Sequence, residues 1–412
     1  MNYFSILILL MTLFSVAQWS KLPIGNTFLS WTIDCLIIIH IIRFIKKSRN
    51  YSIGINDIII KLYLFWLILC IIRGVFVADN YWEWKQLVGG SFALLLPIYI
   101  YYFSYPSNIS VLMRFWLKYA MILFVLLFSW NLSVGTYHFY LGPILLLLCL
   151  FPLLTKKWKF ISVLCAIIMI TGDLGARSQV IKAVMSLFLG ISLYYHKFIS
   201  TKVIKILHWT IYIVSLILLV LGISGVFNVF EDFSTSKSGK YIESKVINGE
   251  IVEEDISSDT RSFIYIEVLE SAIRNNYLIW GRTPARGNDS MAFGSFSAEE
   301  LKTGKYERHS NELCHLNILT WTGLIGLILY SLIYLQSSWL AVYRSRNVYM
   351  KILGCFIAFR WAYGWIEDFN RFDIMNLSLW MIISMGFSSF FRNMNNYEFN
   401  CFVKSMLPKQ LV

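Results

Sequence analysis

The chain has 412 residues, of which 57% are hydrophobic, 17% aromatic and only 15% charged. A water-soluble protein of this length needs far more charged surface, so a soluble globular domain is excluded and an all-α polytopic membrane protein is expected. The formal net charge of +12 would suit nucleic acid, but the basic residues stand in short clusters between apolar runs, and no nucleic-acid partner is expected.

About twelve runs approach the ~20 residues that a membrane-crossing helix needs. They lie near 3–19, 27–45, 58–77, 87–104, 109–130, 138–154, 158–172, 178–195, 203–227, 312–334, 348–366 and 372–391. The first has no basic lead-in and no small-residue cleavage site, so it reads as a retained span. Every second connection is basic: Arg43, Lys46, Lys47 and Arg49; Lys156, Lys157 and Lys159; Lys197, Lys202 and Lys205; Arg344, Arg346 and Lys351. These connections and both termini are therefore expected in the cytoplasm. The alternate connections carry Asp79 and Glu83, then Asp173, then Glu367, Asp368 and Asp373. The expected division is 1–227 (nine spans), 228–311 (one large external loop), 312–391 (three spans) and 392–412 (a cytoplasmic tail).

From Glu231 to Glu312 the chain holds 15 of its 24 acidic residues, so the loop is the one long water-exposed segment. Asn248-Gly249 between β-branched residues predicts a hairpin. Ser257, Ser258 and Asp259 can cap a helix over about 261–277. GRTPARGNDS is turn-forming, and AEELKTGKYERHSN reads as a short helix or irregular chain.

Arg261 falls on the apolar face of that helix, with Phe263, Ile264, Val268 and Leu269. It is either a snorkelling or salt-bridged arginine or a clamp for phosphate, which the guanidinium fork suits. Arg177 sits in the outward turn TGDLGARSQ, either an interfacial partner of Asp173 or a second cation at head-group depth. His309, Asn311 and Glu312 stand just before the tenth span. His309 has the ordinary pKa to accept a proton from a hydroxyl, and Glu312 could orient it or serve as the base. His315 reads as a polar packing residue. Arg73 and Arg360 lie within spans, where charges are functional candidates by default, although Glu367 and Asp368 could neutralise them. Arg282 and Arg286, in the turn-forming segment, complete the candidates. Trp82, Trp84, Trp280, Trp321, Trp361 and Trp365 read as an interfacial belt.

The seven cysteines form no disulfide framework or CxxC site, and no HExxH, P-loop, GxSxG or zinc spacing is present. The first external connection, SKLPIGN, has no acidic pair to hold a divalent metal. No metal and no cofactor are expected.

About twelve spans, GARS at an outward turn, then DTRSFIYIEVLESAIRNNYLIWGR and HSNELCHLNILTWTGLIG in a late loop together resemble the bacterial O-antigen polymerase/O-antigen ligase superfamily. The likeness covers nearly the whole chain in topology but only residue 177 and 258–326 in motif. It implies a GT-C-like glycosyltransferase of the bacterial inner (plasma) membrane, with the loop periplasmic. Its substrates would be undecaprenyl-pyrophosphate-linked oligosaccharides, and a chain-length regulator protein is a further implied partner. Arg177 and Arg261 match the arginines that hold pyrophosphate in that family, and His309 its histidine. The family places its histidine nearer the Gly-x-x-Gly, here Gly323 and Gly326, and the closer slot holds Glu312. The leading expectation is a polymerase of repeat units. A ligase that transfers polymer to lipid A-core and a lipid-linked sugar flippase are the alternatives.

Overall fold

The computed structural model describes residues 3–16, 20–21, 25–48, 56–128, 130, 136–172, 177–195, 200–223, 242–247, 250–255, 262–290 and 293–408. The helices are α1 (Tyr3–Ser15), α2 (Thr27–Ser48), α3 (Ile58–Val77), α4 (Tyr81–Leu94), α5 (Tyr99–Phe103), α6 (Pro106–Leu123), α7 (Tyr137–Tyr140), α8 (Ile144–Cys149), α9 (Lys156–Gly172), α10 (Arg177–Ser192) and α11 (Thr201–Ile223). Strands β1 (Ile242–Ile247) and β2 (Glu250–Asp255) follow, then α12 (Ser262–Arg274), β3 (Asn288–Asp289) and β4 (Glu307–Arg308). The chain closes with α13 (Cys314–Tyr343), α14 (Val348–Tyr363), α15 (Ile374–Phe387), α16 (Ser389–Asn393) and α17 (Asn396–Met406).

Among the described residues, seven helices are long and apolar enough to cross a membrane: Thr27–Ser48, Ile58–Val77, Tyr81–Phe103, Pro106–Leu127, Ser178–Tyr195, Thr201–Leu221 and Cys314–Tyr343. Helix α3 shows the pattern such an environment selects. Ile60, Tyr63, Leu67, Cys70 and Gly74 are buried at helical spacing, while Phe65 and Phe76 on the other side are 62% and 83% exposed. Water would not tolerate that outer face, and lipid would.

The remaining expected spans are shorter. Helices α1 and α15 have 13 and 14 residues, α14 has 16 and α9 has 17. The run over 138–154 is not one helix. Pro143 caps α8 and Pro152 opens a 3-10 turn, so proline divides the run into α7, α8 and that turn. The pieces are nonetheless deep in the core: Ile144 to Leu150 are all buried, and α8 packs on α10. At the centre, α13 packs on α3, α14 and α15, and α14 also meets α11.

The hairpin forms as read. β1 pairs antiparallel with β2, Ile247 opposite Glu250, which leaves a two-residue connection. A second ribbon, β3 with β4, pairs Asn288 with Arg308 and Asp289 with Glu307, and closes the segment between α12 and α13 into a loop.

Helix α13 is interrupted at Gly323 (φ 69°, ψ −174°). The break frees backbone groups that the segment after α12 then satisfies. Arg282 N–H donates to the Thr320 carbonyl at 2.7 Å and Thr283 N–H to that of Trp321 at 3.2 Å. Leu324 N–H donates to the Leu278 carbonyl at 2.9 Å. A Cβ at Gly323 would lie 2.1 Å from the Ile279 carbonyl oxygen. Positive φ with extended ψ is a region only glycine adopts readily and costs a substituted residue about 1–3 kcal/mol, so Gly323→Ala is expected to lower stability by at least that amount. A thermal melt of the detergent-solubilised variant that matches the wild type would contradict this.

Candidate functional site

The polar segment between α12 and α13 is pinned to the start of α4 by an ion network. Asn80 caps α4 by accepting from the Trp82 and Glu83 N–H groups, which fixes Glu83 in the first turn. Glu83, fully buried, meets Lys305 Nζ at 2.6 Å and Arg286 Nε at 3.8 Å. Glu307 takes a forked contact from Arg286, accepts from the Gly287 N–H at 3.3 Å, and lies 3.1 Å from Arg282 Nη2. Arg282 Nη1 also donates to Asp289 at 2.6 Å. Burial opposes the charge of Asp289, but the hydrogen bonds from Arg282 and Asn275 outweigh it and hold the carboxyl below its usual range. Arg282 and Arg286, read from sequence as candidate site cations, are therefore committed to carboxylates and hold the loop in place. Arg73 is committed too: its Nη1 and Nη2 donate to the carbonyls of Trp280 and Gly281 at 2.8 and 3.1 Å.

This pinning sets His309. Its carbonyl accepts from Gln86 Nε2 at 3.1 Å and Trp321 Nε1 at 3.2 Å, so the backbone is fixed from α4 and from α13. Its Nε2 lies 3.4 Å from Ser297 Oγ, and Nδ1 is buried with no partner among the described residues. Burial pushes the imidazole below its ordinary value of 6.5, against the pull of Glu307 and Glu83. His309 is one of the residues that line a cavity of about 300 Å³ between the starts of α2 and α4. Glu312 is placed differently. Its side chain is 57% exposed and lies 3.6 Å from Arg308 Nη2, and Glu312 is not among the residues that line this cavity.

A third feature joins parts of the chain that are far apart in sequence. The turn from Tyr363 to Glu367, after α14, is bonded to three separate parts of the chain. Tyr363 Oη donates to the Ser178 carbonyl at 3.3 Å, and Glu367 Oε1 accepts from Gln179 Nε2 and Lys182 Nζ, each at 2.7 Å, all in the first turns of α10. The Trp365 carbonyl accepts from Tyr265 Oη of α12. The Gly364 and Glu367 carbonyls accept from the N–H groups of His315 and Cys314 at 3.2 and 3.1 Å, at the start of α13. Arg360, 2% exposed, stands 3.6 Å from Glu367, which neutralises it. Burial opposes ionisation of Glu367, yet Lys182 and Arg360 overcome it and keep the carboxyl below its ordinary range. His315 is fully buried, with Nε2 against the Trp361 carbonyl at 2.8 Å, which fits the packing role read for it.

The backbone of Arg177 opens α10, immediately before Ser178; its side chain lies outside the described residues. Arg261 also lies outside them, directly before Ser262 at the start of α12. The segments that carry the two arginines and the one that follows His309 thus meet on one five-residue turn. No family model, no curated protein and no solved structure matches the chain.

Sequence reading passed over Lys182, Gln179 and Gln86. Lys182 had a usable signal: a lysine inside an apolar helix needs a nearby anion. Its partner lies 185 residues away, which no local pattern reveals.

Proposed function

We propose that the protein is a membrane glycosyltransferase that joins undecaprenyl-pyrophosphate-linked oligosaccharide repeat units into an O-antigen or capsule-like polysaccharide. The observation that carries this reading is the convergence of the Arg177, Arg261 and His309 segments on the turn 363–367. An acceptor hydroxyl oxygen attacks the anomeric carbon of the donor chain, and the bond from that carbon to the pyrophosphate oxygen breaks. The two arginines meet the charge that gathers on the departing pyrophosphate, without a metal. The hydroxyl proton passes to His309. Burial holds that histidine below its ordinary 6.5, so it is uncharged at physiological pH and able to take up a proton. Glu312, exposed and paired with Arg308, fits the role less well.

A pH profile tests the base. Elongation is expected to hold as pH falls through 6.5, the ordinary histidine value, and to fail only at more acid pH. His309→Gln should lower the rate by about 10²–10⁴-fold and remove that acid limb. A limb above 6.5, or one that persists in the variant, would count against His309. Gene removal tests the reaction class: a lost polymerase leaves core bearing one repeat unit, whereas a lost ligase leaves bare core and carrier-bound polymer.

A further inference from the structure

The cavity beside His309 is lined by residues that belong neither to the ion network nor to the turn. Thr27 and Trp31, four residues apart, give one wall from the first turns of α2. Trp82, Lys85, Gln86 and Gly89 give the other, at the spacing of a single face of α4. Gly89 is the informative residue. A glycine inside a helix costs about 1 kcal/mol relative to alanine, a cost normally offset where another chain packs close. Here a Cβ would meet nothing within 4 Å. The position is left empty, at the edge of a cavity of about 300 Å³, which lies at the lower end of small-ligand sites.

The lining indicates what fits. Two indoles offer apolar surface, Gln86 and Thr27 offer hydrogen-bonding groups, and Lys85, 5.1 Å over the Trp82 ring, brings a full positive charge. A pyranose matches this combination: it has an apolar C–H face and a rim of hydroxyls. We infer that this cavity binds one uncharged or acidic sugar ring of the acceptor, beside His309, and that Gly89 keeps the space for it. The inference rests on the proposed glycosyl transfer for the word acceptor, but the sugar site itself does not. Lys85 sets the preference against amino sugars, because like charges repel across a short distance.

Saturation-transfer NMR on the full-length protein in nanodiscs, with glucuronate, glucose and glucosamine as probes, tests it. Glucuronate and glucose are expected to receive saturation and glucosamine much less. Gly89→Leu, which fills the space, should abolish the transfer. Lys85→Glu, on a half-exposed residue, should reverse the order of glucuronate and glucosamine. Absent or equal signals for the three sugars, or an order unchanged in Lys85→Glu, would overturn the inference. If the sugars bind as expected but His309→Gln still builds normal polymer, the sugar site stands and the proposed reaction falls. If the polymer depends on His309 while no sugar enters the cavity, the reverse holds.

Discussion

Alanine at Arg177 or at Arg261 should leave the protein in the membrane and remove long-chain polysaccharide. A departing pyrophosphate concentrates negative charge on a few oxygens, and removing one preorganised donor from such a site costs roughly 10²–10³-fold in rate. One such loss, in a polymerisation that repeats the step many times, leaves only short products. Lysine should restore little, because a point charge cannot make the two parallel contacts of a guanidinium. The fold has separate anchors near both positions: Gln179 and Lys182 hold the start of α10 to Glu367, and Tyr265 holds α12 to the Trp365 carbonyl. Protein quantity in the membrane fraction, set beside the chain-length ladder on a gel, makes the check. Normal chain length in either variant would remove that arginine from the reaction.

Neutralising Glu367 should have the largest effect on stability. Glu367, Lys182 and Arg360 are 7%, 1% and 2% exposed, so the carboxylate is the near counter-charge to two buried cations. Removing one member of a buried ion pair leaves an uncompensated charge and costs about 3–5 kcal/mol. Glu367→Gln is therefore expected to lower the melting temperature by several degrees or more in a fluorescence melt. Adding Lys182→Met should recover part of that loss, since one stranded charge goes with it. The pH dependence has a definite sign. A carboxylate held below its unfolded value contributes stability at neutral pH and loses it as pH falls through the folded value. Acid should thus destabilise the wild type more than Glu367→Gln. Equal melting temperatures at pH 7 would show that the cluster carries little of the fold.

Much of the helical order could be read from local pattern. The apolar runs fall on helices, the Asn248-Gly249 pair predicts the β1–β2 hairpin, and the cap signals at 257–259 precede α12, which begins at Ser262. The misreadings have physical causes. Pro143 and Pro152 sit in so apolar a stretch that composition suggests one span, whereas the missing N–H groups and fixed φ divide it. The break at Gly323 looks in sequence like an ordinary small residue in a helix. Its meaning comes from the Leu278–Thr283 segment docked against it. Arg282, Arg286 and Arg73 look like free cations until folding sets Asp289, Glu307, Glu83 and the carbonyls of Trp280 and Gly281 beside them. Charge type is a local property; partner choice is a property of the whole fold.

On the proposed function, this chain alone elongates a lipid-pyrophosphate-linked glycan. The most direct measurement is purified protein in liposomes, given an undecaprenyl-pyrophosphate-linked repeat unit in the presence of a metal chelator. The expected result is a ladder of longer glycans with release of undecaprenyl pyrophosphate, absent in Arg177→Ala and sharply reduced in His309→Gln. Repeat units that cross the bilayer unextended, or that remain unchanged, would rule out polymerisation by this chain.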